Sequence, residues 1–384
     1  MKNVNLWLIV LTLLSTAAMA HAQTIAPAPD GTGTIVTPNG NRIDIGGGTQ
    51  TGNNLFQSFQ QFGLDSNQVA NFLSNPAVQN ILGRVVGGDP SVINGLIQVT
   101  GSNANLYLMN PAGIIFGANA SLNIPASFTA TTANGIGFGN TWFQAIGTND
   151  YTALSGNPNG FAFTQSGTIF NAGTLAVQPG QSLMLLGGTV VNTGTIAAPE
   201  GTITLAAIPG EKLVRLTPQG SLLSMDLPLD TKAQLTSGLS PLDLPALLTG
   251  NTLIGATGVT VDNGVVKLTS SGAVIPVEAG VAIVSGHITA ASSSITPSLP
   301  NSITPQITIL GEKVGLLSAN LNASGTNGGG TILIGGDYQG KGTIPNALRT
   351  YVSTDSVIAA NSLLNGDGGR VIVWADDTTA FYGN

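Results

Sequence analysis

Short runs of alternating apolar and polar residues, broken by Gly, Asn or Pro, fill the chain from about residue 25 onward. Alternation sends successive side chains to opposite faces of an extended strand. The breaks carry the residues of tight turns, so the pattern predicts many short strands and few helices. One unit recurs. Gly167-Thr-Ile-Phe-Asn-Ala-Gly-Thr-Leu175 returns as Gly188-Thr-Val-Val-Asn-Thr-Gly-Thr-Ile196, with five identities in nine positions at a spacing of 21. A turn follows each copy, Gln178-Pro179-Gly180 or Pro199-Glu200-Gly201, and then a strand read as alternating, 182–186 or 202–206. Gly329-Gly-Thr-Ile-Leu-Ile334 is similar to Gly368-Gly-Arg-Val-Ile-Val373 at a spacing of 39, which reads as about two coils. Repeats of about 20 residues with Gly and Asn corners indicate a β-solenoid. The expected fold class is all-β: a right-handed parallel β-helix with an N-terminal cap and extra-helical excursions. Asn171 and Asn192 should stack in successive coils and share amide hydrogen bonds.

Other segments depart from this pattern. Asp65-Ser66-Asn67 ahead of residues 68–73 predicts a short N-capped helix that stops before Pro76. Eleven of the twelve Phe lie between Phe56 and Phe170, whereas 171–337 contain no Phe, Tyr or Trp. An aromatic-rich N-terminal segment suits the cap that a solenoid needs over its first sheet edge; the later coils need an aliphatic core. Residues 209–250, with Pro218, Pro228, Pro241 and Pro245, read as an excursion holding a short helix at 245–248, and the Ser/Pro-rich 291–305 as a loop. At the start, Lys2, an apolar run over 6–14 and two A-x-A sites ending at Ala20 and Ala22 describe a cleavable secretory signal over 1–22. The expected organisation is therefore a signal at 1–22, a first β-helical unit at 23–208, the excursion at 209–250 and continuing β-helix over 251–384.

Composition narrows the functional classes. Charged residues are 8% of 384, against roughly 25% in an ordinary soluble domain, too few for the polar faces of a helical bundle. A net charge of -7 with scattered cations leaves no basic stripe, so no nucleic-acid partner is expected. With the signal removed, His287 is the one remaining histidine, read as a surface strand residue; zinc motifs of the H-E-x-x-H kind are excluded. Between 23 and 206 the chain offers only Arg42, Arg84 and six acids. The densest later groups are Glu211-Lys212 with Arg215, and Asp337 with Lys341. Asp376-Asp377 reads as a solvated edge. No catalytic, cofactor-binding or metal-binding residues are assigned, and the chain is not expected to be an enzyme. The alternative is a β-solenoid that binds or degrades polysaccharide.

One motif stands apart. In Asn110-Pro111-Ala112-Gly113-Ile114, Asn, Pro and Gly occupy the first, second and fourth places they favour in a type I turn. Its setting, a Pro-Ser-x-x-Asn-Gly turn from Pro90, a strand, Ala104-Asn-Leu-Tyr-Leu108, then the turn and another strand, resembles a known family over residues 25–210. That family is the filamentous haemagglutinin N-terminal domain, also called the TPS or haemagglutination-activity domain, of two-partner-secretion exoproteins of cyanobacterial type. The resemblance implies a TpsA-like exoprotein recognised through the POTRA domains of an outer-membrane TpsB-type β-barrel transporter. It also implies secretion from a Gram-negative-type bacterium, with a passenger acting as surface adhesin or structural filament toward a cell-surface or carbohydrate target. The family's second motif, NPNL, corresponds to Asn75-Pro76-Ala77-Val78, which departs at two of four positions. Absence of Cys suits an unfolded chain threading a pore, since a disulfide would obstruct it.

Overall fold

The computed structural model describes residues 24–164, 167–216, 222–226, 259–262, 265–268, 279–292 and 304–384. The signal at 1–22, the helix expected at 245–248 and most of the Ser/Pro loop lie outside these residues. Through the described chain, strands visit three sheets in a fixed rotation. Ser182–Gly187 lies on a first face, Thr189–Asn192 on a second and Thr195–Ala197 on a third. Thr202–Ala207 then returns to the first face, parallel to Ser182–Gly187 with Ser182 opposite Thr202. Among the described residues the first, second and third faces hold 11, 8 and 10 strands. The molecule is a parallel β-helix.

The 21-residue repeat is one coil: Ile169 faces Val190, Asn171 faces Asn192 and Leu175 faces Ile196. Asn171 Nδ2 donates to Asn192 Oδ1 at 2.7 Å, with both residues buried, so the expected amide ladder is present. The 39-residue spacing is also one coil, not two, because Thr331–Ile334 pairs directly with Arg370–Val373. That coil is long because residues 335–347 bulge between the first and second faces, closed by the Ala347 N–H donating to the Gly335 carbonyl at 2.6 Å.

The N-terminal end is capped. Ile25–Pro27 runs antiparallel to Asn54–Phe62 and covers the end of the first face. Thr34–Asn39 runs antiparallel to Arg42–Gly47 and ends the third, with Pro38 on the outermost strand. Reversed strands and an edge proline both discourage further pairing.

No helix forms at 68–73. Val69–Leu73 is a third-face strand between Arg42–Gly47 and Leu96–Thr100. Asn67 sits at φ 74, outside helical geometry, and the Gln68 side chain accepts from the Asp65 N–H at 2.8 Å, closing a turn instead of capping a helix. Ladders on both sides outweigh local helical preference.

The alternation expected at 182–186 and 202–206 also fails, since Ser182–Gly187 and Thr202–Ala207 are buried throughout. The first face is covered on both sides. Its inner side lines the coil interior, and its outer side carries an antiparallel sheet of Thr141–Gln144, Gly135–Phe138, Gly160–Phe163, Lys212–Leu216 and Leu222–Asp226. Ile136, Phe138, Phe143, Phe161, Phe163 and Val214 of this sheet form a second core with Phe56, Leu82, Met109, Met184, Leu186, Ala206 and Leu310 of the first face. The sheet joins two excursions, both leaving between the first and second faces. One departs after Phe128–Thr131 and returns at Thr168–Asn171; the other departs after Thr202–Ala207 and returns at Val281–Val284. Sequence reading anticipates only the later one.

Candidate functional site

The turn at 110–113 occupies that same corner, one coil before the first excursion. It links Asn105–Met109 on the first face to Ile114–Phe116 on the second. Asn110 makes it. Its Oδ1 accepts from the Ala112 N–H at 3.0 Å, and its carbonyl accepts from the Gly113 N–H at 3.1 Å, the closing bond of a β-turn. Its Nδ2 donates to the Asp89 carbonyl and to Ser91 Oγ, each at 3.0 Å, anchoring the turn to the coil before. Gly113 has φ 126, the backbone freedom that calls for glycine, and a Cβ there would also crowd the Thr168 carbonyl at 3.1 Å.

The turn also holds both ends of the excursion. The Asn110 N–H donates to the Thr131 carbonyl at 2.9 Å, where the chain departs, and the Gly167 N–H donates to the Pro111 carbonyl at 3.0 Å, where it returns. Asn110 is 1% exposed and Gly113 and Ile114 are buried, so only Pro111 and Ala112 are partly open to solvent.

Residues 75–78 form the same turn. The Ala77 N–H donates to Asn75 Oδ1 at 3.0 Å and the Val78 N–H to the Asn75 carbonyl at 2.9 Å. Departures from the family pattern at Ala77 and Val78 therefore spare the Asn-Pro pair that shapes the backbone. Here Asn75, Pro76 and Ala77 are exposed and Val78 is buried. This turn precedes the first-face strand Asn80–Val85, whereas 110–113 follows the next one, Asn105–Met109. The two turns stand at opposite ends of the first face, roughly 17 Å apart by strand rise, and are not brought together.

Between these corners lies a group that sequence reading does not single out. Arg84 is 2% exposed on Asn80–Val85. Its Nε donates to Ser58 Oγ at 3.0 Å, one terminal nitrogen to the Gln144 and Gly147 carbonyls at 2.8 and 2.9 Å, and the other to Asp30 at 2.8 Å. The guanidinium carbon lies 5.7 Å from the Phe143 ring centroid. Burial pushes the Asp30 carboxyl upward, but hydrogen bonds from Ser58, Thr32 and Arg84 outweigh it and hold the group at about 2. Thr32 Oγ1 in turn shares a 2.6 Å hydrogen bond with the Tyr151 hydroxyl. The available signal was an arginine inside the otherwise apolar run Ile81-Leu-Gly-Arg-Val-Val86, since a charge in such a run is buried only with partners.

The remaining candidates are scattered. His287 is exposed at the start of His287–Thr289. Asp376-Asp377 lies in a bend rather than on a strand: Asp376 accepts from Trp374 and Asn346, while Asp377 pairs with Arg349 at 3.0 Å. Asp337 pairs with Arg370, and Lys341 donates to Gln339. Lys212 is nearly buried on the extra sheet, where desolvation lowers its pKa against the pull of Glu312.

A family model described as the TPS secretion domain matches residues 22–249. Among solved structures, the HMW1 secretion domain from Haemophilus influenzae is similar at 21% identity and TM-score 0.47, covering 94% of this chain and 89% of that one. The filamentous hemagglutinin secretion domain is similar at 17% identity and TM-score 0.38, covering 92% of this chain and 100% of that one. No curated protein matches the chain.

Proposed function

Because the chain belongs to the TPS secretion domain family, we propose that its N-terminal β-helix addresses a two-partner-secretion exoprotein to an outer-membrane TpsB-type transporter through that partner's POTRA domains. The later coils are then the passenger, serving as a surface adhesin or structural filament outside the cell. The family match carries this reading, since it spans both Asn-Pro turns and the first excursion. Pro111 with Ala112, and Asn75 with Pro76 and Ala77, are the motif positions with side chains open to a partner.

The test is release of the full chain from cells with and without the cognate barrel. Release should require the barrel, and Pro111→Ser with Ala112→Arg should reduce it while lowering the stability of the purified protein, read from urea denaturation, by no more than about 1 kcal/mol. Barrel-independent release would overturn the export reading. Normal release of the double variant would remove the 110–114 turn from it.

A further inference from the structure

The outer core over the first face is mostly apolar, with buried Thr129, Thr131, Thr204 and Thr308 set among its apolar residues, and apolar contact is not directional. Phe56, Leu82, Met109, Met184 and Leu186 offer the extra sheet such contact. A strand slipped by two residues would keep its apolar side inward. Arg84 breaks that degeneracy. The guanidinium is a rigid planar fork of donors, and its acceptors come from three separate parts of the chain: Asp30 in the cap, Ser58 in the first coil, and the Gln144 and Gly147 carbonyls in the excursion. A two-residue slip moves those carbonyls by roughly 7 Å and strips one terminal nitrogen of a buried guanidinium of both its acceptors. The cap and excursion are further joined by Tyr151 with Thr32, and Asn54 Nδ2 donates to the Leu154 and Gly156 carbonyls at 3.1 and 2.8 Å.

We propose that Arg84 is a register key, selecting one docking of the extra-helical sheet and the N-terminal cap against the first coils. Its contribution is specificity more than stability. Replacing a buried ion pair by an apolar side chain of similar volume is often neutral or stabilising, whereas removing one partner alone is damaging. This proposal is independent of how the chain leaves the cell.

The experiment is amide hydrogen exchange on the purified full chain, with Arg84→Met and Asp30→Asn alongside the parent. For Arg84→Met, protection at 135–147 and 24–33 should fall at least tenfold, while 105–109 and 183–186 keep theirs; combined with Asp30→Asn, which removes both charges, the urea midpoint should not drop. Unchanged protection at 135–147 would overturn the proposal, because apolar contact would then suffice. A uniform loss through the coils would overturn it too, making Arg84 an ordinary stabilising residue. Should Arg84→Met fail to fold, Asp30→Asn decides. Loss at both 24–33 and 135–147 supports the key, and loss confined to 24–33 refutes it.

Discussion

Asn110 shows how a residue recognised as a motif can owe its identity to folding. Its side chain makes three hydrogen bonds while 1% exposed, and unmade buried bonds are expensive. Asn110→Ala should therefore lower stability by about 2–3 kcal/mol, and Pro111→Ala by under about 1 kcal/mol, both read from urea denaturation. Asp30 yields a second prediction. Its folded pKa of about 2 lies below the ordinary carboxylate value of 3.8, so its contribution is complete above about pH 4 and is lost as pH falls toward 2. Asp30→Asn should flatten the pH dependence of the urea midpoint in that window; an unchanged slope would mean other carboxylates carry it. At this scale the sequence was legible for the turn, because Asn, Pro and Gly act through local geometry. It was silent about Arg84, whose partners lie 54 residues before and 60 and 63 after.

Among elements, what the sequence conveyed depended on whether an environment was one-sided. The copies at 167–175 and 188–196 gave the coil and the Asn ladder directly, because identical residues stacked in register need identical surroundings. Strands such as Ser182–Gly187 misled: a second covering layer buries both sides, so the alternation loses its meaning. The cluster of Phe between 56 and 170 held the missing clue, since one narrow coil has little room for so many rings and a second core takes Phe56, Phe138, Phe143, Phe161 and Phe163. The misread at 68–73 has the opposite cause: a local capping signal overruled by strands pairing on both sides. Corners between the second and third faces permit a sharp test. A Cβ on Gly173, Gly194 or Gly286 would strike backbone of the coil before. Gly194→Ala should cost about 1–3 kcal/mol, visible as a lowered urea midpoint, whereas Gly180→Ala, with open space around its Cβ, should cost only the strain of its φ of 77.

Over the whole molecule, scarcity of charge and a two-layered first face have a joint consequence. Few ion pairs hold this chain, so cohesion follows buried apolar area. A solenoid alone is nearly one-dimensional, each coil touching only its neighbours. Here the extra sheet breaks that rule, because its core includes residues from six first-face strands, from Asn54–Phe62 through Asn80–Val85, Asn105–Met109, Ser182–Gly187 and Thr202–Ala207 to Gln306–Leu310. Those coils share one second core and should unfold together. Thr331–Ile334 and Arg370–Val373 add nothing to it, and Val371 is 43% exposed. Ile344 of the 335–347 bulge alone in this stretch packs against that core, so residues 331–381, held mostly by neighbour contacts, should open at lower cost than the coils beneath the extra sheet. Hydrogen exchange in rising urea should show amides of 331–334 and 370–373 released well before those of 183–186 and 203–206. Phe161→Ala should narrow that gap by weakening the shared core by about 3–5 kcal/mol, without accelerating exchange at 331–381. Release of all these strands at one urea concentration would mean that stacking alone couples the coils, and that the extra sheet is carried by the helix instead of binding it together.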